Sequence, residues 1–188
     1  MAFISLTQVP GVKFFFPKDI PNTPGNVMHM RHQTLAGVPN LSELTWVDWL
    51  PNGAHVGFSP ISPTSGEDAV KQYHMVTKRC AEYGFDYIAT WCVGLRELHH
   101  IVVPVYNKKD PVQRKKVHEM VKTLINDAAK EGYGEYRTHL GLMDQVMGTY
   151  NWNGGALLKF NETIKDAIDP NGILMPGKSG VWPKSYRK

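Results

Sequence analysis

Tyr136 and Arg137, adjacent in Gly-Glu-Tyr-Arg-Thr-His (134–139), are the residue pair whose types and spacing say most about chemistry. A phenolic hydroxyl donates one hydrogen bond, and a guanidinium adds a permanent charge with a fork of donors. Aimed at one oxygen, the two hold an oxyanion and lower the pKa of its parent acid. The same dipeptide also suits a packed ring beside a surface cation, with Arg137 paired to Glu135 or Asp144. Two further segments accompany it, Trp49-Leu-Pro-Asn-Gly-Ala-His55 and Pro176-Gly-Lys-Ser-Gly-Val-Trp-Pro183. His99-His100 suggests a metal, but neighbours on a strand point to opposite faces and no Cys or acidic spacing completes a site, so none is expected. Lys178 sits between Gly177 and Gly180. The first glycine of a phosphate loop is missing there, and no strand-to-helix context follows, which argues against a nucleotide hydrolase.

These residues need a scaffold. A chain of 188 residues suits one domain or one and a fraction, and 42% hydrophobic content permits a core. The net charge is only +4 and the 21 basic residues are spread out, so nucleic-acid binding is not expected. Cys80 and Cys92 have no metal spacing; they allow one bridge, but read rather as two buried thiols of a reducing compartment. No apolar run reaches 18 residues and the N-terminus has no secretory pattern, so neither a membrane span nor a signal is expected. That combination suits a cytoplasmic protein, with a peroxisome as the alternative.

Residues 1–40 are rich in Pro, Gly and Asn. Val12–Phe16 reads as a short strand, while His29-Met-Arg-His32 follows no pattern that assigns it to an element. Ala54–Ser59 reads as a strand stopped by Pro60 and Pro63. Ser65 is an N-cap for a helix ending at Gly84, with Val70, Tyr73, Thr77 and Cys80 on one face. Phe85–Val93 and Glu97–Tyr106 read as strands. Asp110-Pro111 starts a second helix whose stripe is Val117, Met120, Val121, Leu124, Ile125 and Ala128. With a closing strand, this order gives a split β-α-β, ferredoxin-like sheet with helices on one face, an α+β fold. Beyond Gly132 the chain reads as a helical, loop-rich segment: a helix or turn over 140–147, a helix over 156–168 with Leu157, Phe160, Ile164 and Ile168 on one side, a turn at Asp169–Gly172, and an irregular tail that packs on something. The boundary falls near 132.

Asn-Gly-Ala-His55, Arg96-Glu-Leu-His-His-Ile101, Gly-Glu-Tyr-Arg-Thr-His139, Met-Asp-Gln145, Tyr-Asn-Trp152 and Asp-Pro-Asn-Gly172 through Gly-Lys-Ser-Gly-Val-Trp182 occur here in one order. Together they resemble the C-terminal part of the vanillyl-alcohol oxidase and 4-cresol dehydrogenase family of FAD-linked oxidases, from Trp46 at least to Trp182. The resemblance implies oxidation of 4-substituted phenols by FAD. Hydride passes from the benzylic carbon to flavin N5, and O2 is reduced to H2O2. It further implies that His55 bonds covalently to the flavin, that Tyr136 and Arg137 hold the phenolate, and that Lys178 lies near the cofactor where Gly177 and Gly180 let the backbone approach. Trp91 and Ile101 suit either a substrate wall or a sheet core, and one of His99 and His100 faces the flavin.

The resemblance also implies that residues 1–132 are part of a cap, or substrate, domain. Residues 133–188 then complete an FAD-binding domain whose main part precedes the cap. This leaves the chain a fragment, inactive alone, with groups such as Phe15 and Trp182 short of cover, and a homo-oligomer as the intact enzyme. Two alternatives stand beside it: a non-catalytic α+β module, and a dehydrogenase that passes electrons to a cytochrome.

Overall fold

The computed structural model describes residues 10–11, 23, 27–38, 45 and 47–187. The expected strand over Val12–Phe16, and Phe15 with it, lies outside them. The chain divides into two compact units, residues 1–46 and 47–188. In the first, α1 (Val27–Leu35) takes up His29 and His32, and Gln33 Nε2 lies 3.0 Å from His29 Nε2 one turn away.

The second unit is an α+β fold. Its elements run β1 (Gly53–His55), β2 (Pro60–Pro63), α2 (Gly66–Tyr83), β3 (Ala89–Val93), β4 (Glu97–Val102), β5 (Val105–Asn107), α3 (Pro111–Lys130) and β6 (Gly134–Glu135). The antiparallel sheet has the order β3-β4-β2-β6, and β1 pairs separately with β5. The first helix connects β2 to β3 and the second leads to β6, so the connectivity is the ferredoxin-like one.

Local chemistry accounts for the helices. Ser65 Oγ accepts the Asp68 N–H at 3.1 Å and Gly84 closes α2 in the left-handed region, at φ 77°. Asp110 Oδ1 accepts the N–H groups of Val112 and Gln113 ahead of α3, with Pro111 in the first turn. All six expected stripe residues of α3 are buried. In α2 the buried stripe is Gln72, Val76 and Cys80, while Val70 and Tyr73 are exposed. The expected face was rotated because its first member is a polar glutamine. One core unites Phe58, Val76, Val102, Leu124 and Tyr133 with Leu142 and Val146 from beyond residue 132.

Prolines shift the strands. The expected strand over 54–59 ends at His55, and a separate one runs through Pro60 and Pro63, which occupy its ends where a missing N–H does least harm. The strand expected over 97–106 breaks at the buried Pro104. The one expected over 85–93 begins only at Ala89, with Phe85 and Tyr87 packed against the core. Cys80 is buried, its thiol pushed up to about 11 mainly by burial, but Cys92 is exposed, against expectation.

Past the sheet come a 3-10 turn (Leu140–Leu142), α4 (Met143–Thr149) and α5 (Trp152–Ile168). α5 buries no residue. Leu157, Phe160, Ile164 and Ile168 share one exposed side. Asp169 Oδ1 and Oδ2 accept the N–H groups of Ile173 and Leu174, which fixes the turn at 169–172. The tail docks through Trp182 Nε1, which donates to Asp144 at 2.8 Å, and through Arg187, which pairs with Asp166 and Glu162. Trp182 is therefore half-buried by its own chain rather than left without cover.

Candidate functional site

β6 is only two residues long, yet it sets the site. Tyr136 follows it directly and donates its N–H to Ser59 O at 2.8 Å, which extends the pairing with β2. Tyr136 is 51% exposed. The imidazole of His99 packs edge-on against it, centroids 4.5 Å apart and planes at 76°. The Arg137 guanidinium lies 5.4 Å from the same ring's centroid. Asp144 accepts the Trp182 indole and Glu135 accepts the Ser59 N–H. Among the described residues no carboxylate pairs with Arg137, so the surface ion pair is not formed.

Strand alternation sorts the rest of the expected residues. On β4, Leu98, His100 and Val102 are buried, while His99 and Ile101 are only half-buried on the other face. His55, at the end of β1, borders a cavity of about 290 Å³ together with Ile101, Tyr136, Arg137 and His139. Four expected residues thus meet in one place. A neighbouring cavity of about 280 Å³ is bordered by Glu135, Tyr136, Arg137, Tyr150 and Lys178, so Lys178 reaches the same Tyr-Arg strap from another side. Trp91 is not brought to either cavity. It sits opposite His100 and stacks on it, centroids 3.8 Å apart, on the helix-covered face. The glycines beside Lys178 are needed for packing. A Cβ at Gly177 would overlap the Trp182 ring, and one at Gly180 would overlap Met147.

Burial controls the ionisable groups. It holds the His55 imidazole below its ordinary value, which favours the neutral, nucleophilic form. It pushes the Glu135 carboxyl up to about 7, against the Ser59 N–H and the Thr138 side chain, which hold it down; Glu135 Oε2 is buried with no hydrogen-bond partner. His139 Nδ1 accepts the Gly141 N–H at 3.1 Å, and its ring meets that of His118. Sequence reasoning did not single out Glu135 or His139, which border the two cavities, and it left open which of His99 and His100 shares the face of Ile101. The short closing strand at 134–135 orients Glu135, and the burial of Leu98, His100 and Val102 on β4 puts His99 on the half-buried face. Among the described residues, no group of three His, Cys, Asp or Glu side chains forms a metal site, and no helix is long and apolar enough to cross a membrane.

A cavity bordered by an imidazole, a tyrosine and a guanidinium that no carboxylate pairs with among the described residues has the donors to hold an oxyanion. The fold that carries this site is an α+β scaffold with an antiparallel sheet. The chain belongs to the FAD linked oxidases, C-terminal domain, whose family model matches residues 27–179. It is 35% identical over 151 residues to the 4-cresol dehydrogenase [hydroxylating] flavoprotein subunit of Pseudomonas putida, a match that covers 80% of this chain and 28% of that protein. Among solved structures, it resembles 4-ethylphenol oxidase from Gulosibacter chungangensis in an isoeugenol complex, with a TM-score of 0.84, 43% identity and coverage of 99% of this chain and 36% of that one. It also resembles p-cresol methylhydroxylase with substrate bound, with a TM-score of 0.73, 33% identity and coverage of 85% and 30%. The chain therefore spans about a third of the length of these relatives.

Proposed function

We propose that this chain is the C-terminal part of an FAD-dependent oxidoreductase that oxidises 4-substituted phenols. The observation that carries the reading is the convergence of His55, Ile101, Tyr136 and Arg137 on one cavity in a member of the FAD-linked oxidases. The names of the relatives supply the substrate class: 4-cresol, 4-ethylphenol and p-cresol are all para-substituted phenols.

The residues divide the work as follows. Tyr136 donates one hydrogen bond to the phenol oxygen, and Arg137 adds a charge-assisted one. Both favour the phenolate over the phenol. An ionised oxygen pushes electron density toward the para carbon, so a hydride leaves the benzylic position more readily. Ile101 lies against the ring and helps keep water out. The desolvated imidazole of His55 fits a covalent link to the flavin, and Lys178 approaches the strap from the second cavity. When bound, FAD supplies the hydride acceptor and, once reduced, the electrons for O2. Residues 1–132 then belong to the substrate domain and 133–188 to the segment that completes the FAD domain, although the stretch through Val146 stays packed on the sheet core. The intact enzyme is a cytoplasmic homo-oligomer on this reading.

The complete FAD-loaded enzyme tests it. Denaturation in acid should leave flavin colour in the protein pellet, and His55→Ala should release it to the supernatant. Free flavin from the unaltered enzyme would remove His55 from the cofactor site.

A further inference from the structure

We infer that His99 is a positioning residue: it fixes the Tyr136 ring so that the hydroxyl aims at the phenol oxygen. The inference deepens the phenolate reading above and rests on it. Tyr136 needs such a support, because it follows a two-residue strand, half of its surface meets solvent, and a tyrosine so exposed samples several rotamers. The ring has two aromatic or cationic neighbours among the described residues, the Arg137 guanidinium and the His99 imidazole.

Arg137 is a weak clamp, since it sits in the loop that must also bind substrate. His99 is the opposite case. It lies on an interior strand, paired with Ile61 of β2 on one side and Cys92 of β3 on the other. Because β2 also pairs with β6, the two rings are mounted on one hydrogen-bonded lattice, His99 two strands away from the strand that leads into Tyr136. Its side chain is only 17% exposed. A mostly buried ring on a rigid strand thus meets an exposed ring on a short one, at the edge-to-face angle that aromatic pairs prefer. His100, its neighbour in sequence, contributes nothing here, because it faces the helices.

A double-mutant cycle in the complete FAD-loaded enzyme tests the inference. The readout is the dissociation constant of 4-chlorophenol, which has no benzylic hydrogen, followed by perturbation of the flavin spectrum. Replacement H99A should weaken binding roughly two- to twelvefold, the range that an edge-to-face contact supplies, and H99F should restore it. In a Tyr136→Phe background, which has already lost the hydroxyl, H99A should cost nothing more. An equal loss in both backgrounds, or a failure of H99F to rescue, overturns the positioning role. If neither Tyr136→Phe nor Arg137→Ala weakens 4-chlorophenol, the phenolate reading itself fails and this inference fails with it. If those two variants weaken binding while H99A does not, only His99 is excluded.

Discussion

The two faces of β4 carry residues of similar types to opposite ends. Toward the helices, Leu98, His100 and Val102 are sealed. His100 is fully buried, stacked on Trp91, and its imidazole is held down to about 4 by burial. Toward the cavities, His99 and Ile101 stay half-buried beside an exposed tyrosine and an unpaired guanidinium. A histidine serves stability on one face and geometry on the other. The lesson is that sequence adjacency says little about shared function on a strand, where period two decides.

This contrast is breakable. The largest effect should come from Leu124→Ala in the sealed core, a loss of about 2–5 kcal/mol in unfolding free energy with phenol affinity unchanged. Chemical denaturation together with a phenol titration checks both halves.

His100 should come next. Its pKa is lower in the folded state than in the unfolded one, so its contribution is complete above the unfolded value near 6.5 and is lost as pH falls through about 4. The full difference amounts to at most about 3 kcal/mol. Denaturation midpoints between pH 7 and pH 4 should show this slope in the unaltered enzyme and lack it in His100→Phe.

On the cavity face, Arg137→Ala should lower kcat/KM for 4-substituted phenols by about 1.5–3 kcal/mol of lost charge-assisted hydrogen bonding, with the melting temperature unchanged. Unchanged steady-state kinetics would take Arg137 out of the site.

Glu135 should give the smallest effect, of opposite sign to that of His100. A carboxyl raised from 4.5 to about 7 stabilises fully below pH 4.5 and loses that contribution as pH rises through 7. Glu135 is half-buried where His100 is sealed, so the effect stays smaller than that of His100. Glu135→Gln should flatten that part of the stability profile.

Much of this was legible from the chain. Asp110-Pro111 and the stripe from Val117 to Ala128 give α3, and Ser65 and Gly84 bracket α2, because caps and helical periodicity are local signals. The face of α2 was misread because Gln72 hides an apolar stripe. Pro60 disguised an interior strand, and the two residues of β6 have no pattern of their own. Their pairing with β2 is a long-range event, and it is this pairing that buries Glu135 and aims Tyr136. The convergence of His55, Ile101, Tyr136 and Arg137 was expected from the resemblance. Trp91 suited either a substrate wall or the sheet core, and the register between β3 and β4, which stacks it on His100, decides for the core face.

The central claim is that the Tyr136–Arg137 strap binds its ligand as an anion. The direct measurement is the ultraviolet difference spectrum of 4-chlorophenol bound to the complete flavoenzyme across pH 6–9. Free phenols ionise near pH 10, as the tyrosine side chain does. The account predicts a phenolate band at pH 7 that disappears in Arg137→Ala. A bound ligand that stays protonated until its solution pKa would contradict it.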